Sequence, residues 1–139
     1  MGKGPGYTGP MKGLLFLLLA LGLSVWAQGV EALWNRSCAV CHGEKAQGVR
    51  PYPGLQAVAP FFATPEGRRY LVLVSLYGKK GEAGLMPGFA QLKDEELAAL
   101  LNHLKALLQA KGEAFTPEEV RRGRGLNLTP EQVRRPPVP

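Results

Sequence analysis

The sequence predicts an all-α domain, and three observations carry that prediction. Thr-Pro-Glu occurs at Thr64, Thr116 and Thr129. Each reads as a helix start: a hydroxyl at the N-cap, proline at the first helical position and an acid in the first turn. Leu97, Leu100, Leu101, Leu104, Leu107 and Leu108 repeat at steps of three and four, which draws one apolar stripe along one helix. Cys38-Ala39-Val40-Cys41-His42 sets two thiols and an imidazole within a turn or so of helix, with no βαβ pattern around it.

That cysteine motif fixes the chemistry to look for. Two thiols on one helical turn can form thioether bonds to the two vinyl groups of a haem, and the next residue then offers its imidazole to the iron. A thioredoxin-like pair has no need of the histidine. A four-ligand zinc site would have to use every cysteine and histidine in the chain, since there is no third cysteine and the only other histidine, His103, lies far from the motif in sequence. The expectation is one haem c, bound through Cys38 and Cys41, with His42 as an iron ligand.

A length of 139 residues suggests one domain, preceded by an export signal. Lys12 leads into the apolar run Gly13 to Val25, and small residues follow at Val25 and Ala27. That is secretory, with a cut after Ala27; the run is shorter than a membrane span requires. The boundaries expected are a signal over 1–27, a haem domain over 28–112 and a C-terminal extension over 113–139. Met11-Lys12 would itself make a normal start. Export to the periplasm also agrees with the cysteines, since haem attachment consumes both and leaves none for a disulfide. Outside the signal, 15 Lys and Arg stand against 11 Asp and Glu. This excess suits solubility and an acidic partner, and is too small to indicate nucleic acid.

After the signal, Val30 to Ser37 reads as a short amphipathic helix running into the haem motif, with Leu33 and Trp34 on its apolar side. Gly43 to Pro60 is broken by Gly48, Pro51, Pro53 and Gly54 and reads as a loop. A metal-bound histidine usually donates its other ring N–H to a fixed acceptor, and the backbone carbonyl of Pro53 is the candidate here. The helix that starts at Thr64 should run to Gly78, followed by an exposed basic turn at Lys79-Lys80-Gly81. Met86 is the one methionine beyond the signal. Pro87 biases it to an extended conformation in a loop, and a thioether is a soft ligand for a low-spin haem iron. Met86 is therefore the candidate second axial ligand.

Asp94 to Lys111 is the strongest helix, with three acids in its first turn. His103 falls within it beside Leu104, where packing against Trp34 is the expected role, against the alternatives of a ligand or a proton-linked switch. The last part contains a repeat. Phe115-Thr116-Pro117-Glu118-Glu119-Val120-Arg121-Arg122 recurs as Leu128-Thr129-Pro130-Glu131-Gln132-Val133-Arg134-Arg135. Two short helices are expected, too short to stand alone, laying Phe115, Val120, Leu126, Leu128 and Val133 on the main domain.

The order of haem motif, Pro53, Met86 and leucine-rich final helix resembles a class I cytochrome c over Val30 to Lys111. Arg68 to Gly78, Phe89 to Glu96 and the Phe-Thr-Pro-Glu-Glu-Val tail are similar to the soluble cytochrome c of thermophilic bacteria that donates electrons to a haem–copper terminal oxidase. The resemblance implies three main helices around a covalent haem with one exposed edge, and a tail wrapped round the domain like a clamp. There are departures. Val30 stands where many members have glycine, His103 where many have an aromatic residue, and only Gly78 to Gly84 where the relative has a longer insertion.

The function expected is that of a monomeric, soluble, exported carrier of single electrons between redox proteins, not an enzyme, with no stable membrane insertion once the signal is cut. One rival is a haem c subunit of an exported oxidoreductase, such as a sulfur-compound dehydrogenase, with the tail helices as its interface. Another is a ligand-binding or peroxidase-like protein with an open iron, against which Met86 argues.

Overall fold

The computed structural model describes residue 2 and residues 29–139. The apolar run, the start at Met11 and the cut after Ala27 lie outside the described residues. Among those residues no helix is long and apolar enough to cross a membrane.

The chain is helical over 29–37 (α1), and its apolar side chains Leu33 and Trp34 are buried. After a break at Cys38 it turns again over Ala39–His42 (α2). The segment expected to be loop as far as Pro60 is irregular only to Leu55; a 3-10 helix then covers Gln56–Ala63, with Pro60 inside it. Proline's fixed φ is compatible with that geometry, so it shapes the turn without ending it. Phe61 and Phe62 are fully buried, and they draw this segment against the core. Phe61 meets Tyr70 edge-on at 5.5 Å, and Phe62 meets Phe115 at 5.8 Å.

Helix α3, Pro65–Tyr77, starts as expected, with the Thr64 hydroxyl accepting from the Gly67 N–H. It ends at Gly78, whose φ of +78° favours glycine. A side chain there would also run into the Met86 carbonyl. The exposed basic turn and the methionine loop expected from the sequence are instead two strands of one hairpin. Strand β1, Lys79–Gly81, pairs antiparallel with β2, Gly84–Met86, and Lys79 stands opposite Met86. The three-residue strands carry no alternation to read, and Glu82-Ala83 turns the chain between the paired Gly81 and Gly84.

Helix α4, Asp94–Leu107, stops short of the expected Lys111. The Glu96 carboxylate accepts from the Lys93 backbone N–H and closes its first turn. Helix α5, Pro117–Arg124, is the first copy of the repeat, and it packs on both α3 and α4. Gly123 lets it lie close, because a Cβ there would meet Val72 at 2.6 Å. The second copy gives only a 3-10 turn, Pro130–Gln132, in place of the second short helix expected. Phe115, Val120 and Val133 are buried and Leu128 half-buried, but Leu126 is 43% exposed. It lies in the turn after α5 and lines, with Pro65, Val72 and Gly123, an open groove between α3 and α5.

Polar groups fasten the tail as well. The Arg68 guanidinium donates to both carboxylate oxygens of Glu119 and to the carbonyls of Phe62, Glu113 and Ala114, and lies 4.1 Å above the Phe115 ring. Arg124 donates to Asp94 and to the Ala90 and Leu92 carbonyls. The Asn102 side chain exchanges two hydrogen bonds with the Phe115 backbone.

Candidate functional site

Helix α1 delivers the cysteine motif: the Cys38 N–H donates to the Trp34 carbonyl at 2.8 Å, and the His42 N–H to that of Cys38 at 2.9 Å. A short helix ending at His42 leaves carbonyls without partners. The loop folds back and supplies them, the Gly48 N–H to the His42 carbonyl at 2.7 Å and the Val49 N–H to that of Cys41 at 3.1 Å. The Trp34 indole N–H donates to the Glu44 carbonyl, tying α1 to the same loop.

The return of this loop brings Pro53 to His42. The Pro53 carbonyl lies 3.2 Å from His42 Nδ1. With the proton on Nδ1 the ring donates to that carbonyl, and its orientation is fixed. Nε2 then keeps its lone pair for a metal.

Cys38 and Cys41 are unpaired and half-buried. Burial pushes the Cys38 thiol up to about 11, and Cys41 beside it adds to the rise. A dithiol redox pair works through a thiolate of lowered pKa, and the rise at Cys38 runs the other way. Among the described residues, no group of three or more His, Cys, Asp and Glu gathers to hold a metal, which leaves the zinc alternative without further ligands.

Met86 is half-buried at the end of β2. Its neighbour Leu85 is 62% exposed, as Val40 of the motif is 70% exposed, while Leu55, Val58, Phe89 and Leu92 are half-buried against the core. His103 is placed in α4 with its ring 5.6 Å from that of Trp34. Burial lowers its pKa, and Glu31 partly opposes that shift. It belongs to the packing of α1 on α4.

These residues fit a covalently held haem. Two free thiols three positions apart and an imidazole oriented by a carbonyl are the donors such a group needs, with the half-buried Met86 thioether on the hairpin. Sequence reasoning missed Tyr77 and Lys79, at the foot of that hairpin. Their partners in the tail lie 46 to 54 residues away, and no local pattern marks them.

Comparison with known proteins agrees with this chemistry. The family described as "Cytochrome C oxidase, cbb3-type, subunit III" matches residues 26–104. The chain is 42% identical over 138 residues to a cytochrome c-552 of Thermus thermophilus, covering 88% of this chain and 93% of that protein. It is 44% identical over 111 residues to a second Thermus thermophilus cytochrome c-552, covering 69% of this chain and 85% of that one.

Proposed function

The chain belongs to the cytochrome c family and carries haem c through Cys38 and Cys41, and on that premise we propose that it is an exported, monomeric electron carrier with His42 and Met86 as axial ligands. In this reading α1, α3 and α4 are the three main helices around the haem. When bound, the group supplies a one-electron couple. The rest is the work of the chain's own side chains. Cys38 and Cys41 hold the group so that it is not lost between encounters. His42 presents Nε2 because Pro53 holds Nδ1, and Met86 offers a soft second donor that favours the reduced state relative to harder ligands. Keeping the same two donors in both oxidation states leaves little to reorganise. Apolar residues such as Leu55 and Phe89 exclude water, and a net positive chain steers an acidic redox partner into brief contact.

The observation that carries this reading is the Pro53 carbonyl on His42 within a Cys-x-x-Cys-His turn. No substrate is transformed, so the protein is not an enzyme; its partners are redox proteins, with a haem–copper terminal oxidase as acceptor. The apolar residues of the tail, which the subunit reading would present to a partner, are largely buried on their own domain. The test is capture from native membranes with the haem-loaded protein. Recovered oxidase activity, and oxidation of the reduced protein by those membranes, is the expected result. Stable co-purification with a large dehydrogenase chain would replace the carrier reading with the subunit one.

A further inference from the structure

The hairpin that bears Met86 is fastened at its foot to the C-terminal tail. Tyr77, the last residue of α3, points its single hydroxyl hydrogen between the carbonyls of Gly123 and Arg124, 2.8 Å from each. Its oxygen also accepts from the Asn127 N–H at 2.9 Å. Two residues on, Lys79 Nζ donates to the Val133 carbonyl at 3.0 Å and lies 5.8 Å from the centre of the Tyr70 ring. Lys79 is the residue paired with Met86 across the hairpin. Val133 is buried, so its carbonyl sits at a fixed point. Below this, the Phe89 N–H donates to the Ser75 carbonyl and returns the chain after Met86 to α3.

We infer that Tyr77 and Lys79 are positioning residues that use the tail to hold the Met86 hairpin in place, so that the tail controls how readily the second axial ligand leaves. The inference rests on Met86 being that ligand. Two three-residue strands hold themselves weakly. A charged donor and a phenol anchored on buried or helical backbone add hydrogen bonds that must break before the hairpin swings out. The tail would thus act on ligand exchange, beyond adding stability to the domain.

The test uses the haem-loaded, full-length protein and reads imidazole binding to its oxidised form, together with the weak red-edge absorption of a methionine-bound ferric haem. Lys79→Leu with Tyr77→Phe removes both holds; leucine is chosen so that no second thioether is introduced. Imidazole should then bind roughly tenfold faster, with the red-edge band weakened. Lys79→Arg should restore most of the slow rate on the Tyr77→Phe background. Glu119→Gln loosens the start of α5 from α3 while leaving the Gly123, Arg124 and Val133 carbonyls in place for Tyr77 and Lys79, and the rate should stay at the native value. Equal acceleration in Glu119→Gln would mean general loosening and overturn the inference. So would an unchanged rate in the double variant while Met86→Ala binds imidazole at once, with the ligand reading left standing. A native protein that lacks the band and binds imidazole as fast as Met86→Ala would overturn the ligand reading and this inference with it.

Discussion

Phe115 to Arg122 and Leu128 to Arg135 share six of eight residues and the same Thr-Pro-Glu start, but only the first becomes an α-helix. The residues that follow decide the difference. The first copy runs on into Gly123 and Arg124, each with an N–H for the carbonyl four residues back. The second runs into Pro136 and Pro137, which have none, and Pro136 also turns Arg135 away from helical backbone. The one internal exchange of a charged group matters too. Glu119 reaches out to Arg68, whereas Gln132 turns back to accept from the Thr129 N–H. The first copy therefore joins α3 to α4 and its helix takes the Tyr77 hydroxyl, while the second offers the Val133 carbonyl to Lys79. A helix start states only where a helix can begin; its length and its task are set downstream.

Two shortened chains would break this comparison most sharply. A chain stopped after Gly112 loses the burial of Phe115, Val120 and Val133 and leaves the Arg68 guanidinium without its carboxylate. Three side chains at about 1.5–3 kcal/mol each, less the cost of ordering the tail, leave a net loss of about 3 kcal/mol. Thermal unfolding should come about 10–20 °C lower, with haem still attached. A chain stopped after Gly125 keeps the first copy and should lose no more than about a third to a half of that. Equal losses would mean that the first copy adds nothing. The resemblance to a class I cytochrome c spans only Val30 to Lys111, so haem attachment is not expected to need the tail. The bonds of Tyr77 and Lys79 to the tail indicate that both shortened chains should also admit imidazole faster.

Exchanging the two residues that differ inside the motif comes next. Glu119→Gln removes a carboxylate from a guanidinium whose side chain is 16% exposed, and should cost about 1–3 kcal/mol by denaturant unfolding. Gln132→Glu keeps the cap on Thr129 and should stay within about 0.5 kcal/mol. Similar costs at the two sites would show that the Arg68 pair is no stronger than an ordinary cap.

Much of this arrangement was legible in the residues because it is local or periodic. Thr64 and Thr116 cap the helices they announce, the leucine series forms the buried face of α4, and Cys38 to His42 forms one short turn. The proline and glycine breaks misled where tertiary burial overrode them: Phe61 and Phe62 pull a proline-containing segment into a 3-10 helix. The Met86 hairpin was illegible for a different reason. Its strands are too short for a pattern, and what fastens them lies at Gly123, Asn127 and Val133.

His103 supplies a reference contact away from both copies, with a pH signature of its own. Burial lowers its pKa in the folded protein, so the unfolded chain binds more protons below the ordinary histidine value. The stability it confers is full above that value and is lost as pH falls toward the folded pKa. His103→Phe keeps a ring against Trp34, should change stability at neutral pH by about 1 kcal/mol or less, and should flatten this part of the pH profile. The haem spectrum should not change. Loss of a low-spin signal would make His103 a candidate ligand again. Exchanges within the tail repeat should leave the pH slope between histidine's folded and ordinary values untouched.

The smallest effect is expected where the two copies diverge. Pro136→Ala with Pro137→Ala gives the second copy the two N–H groups it lacks and frees Arg135 for helical backbone. Helix propensity then favours extending the turn at Pro130–Gln132, since alanine is about 3 kcal/mol better than proline at an interior position. Three things oppose the extension. Val133 would have to leave its buried site, Arg135 would leave the Phe61 ring over which it lies at 5.2 Å, and the Val133 carbonyl would have to choose between Lys79 and an N–H of its own helix. Replacing proline also releases entropy in the unfolded chain, which costs about 0.4–1 kcal/mol for each site. These contributions nearly cancel, so stability should move by about 1 kcal/mol or less, while amide hydrogen exchange reports which side wins. Persistent slow exchange confined to α5, with Arg134 and Arg135 unprotected, would show that burial of Val133 alone keeps the second copy short. New protection at the two substituted alanines would show that the prolines did so, and Lys79 should then lose its acceptor and imidazole binding should quicken.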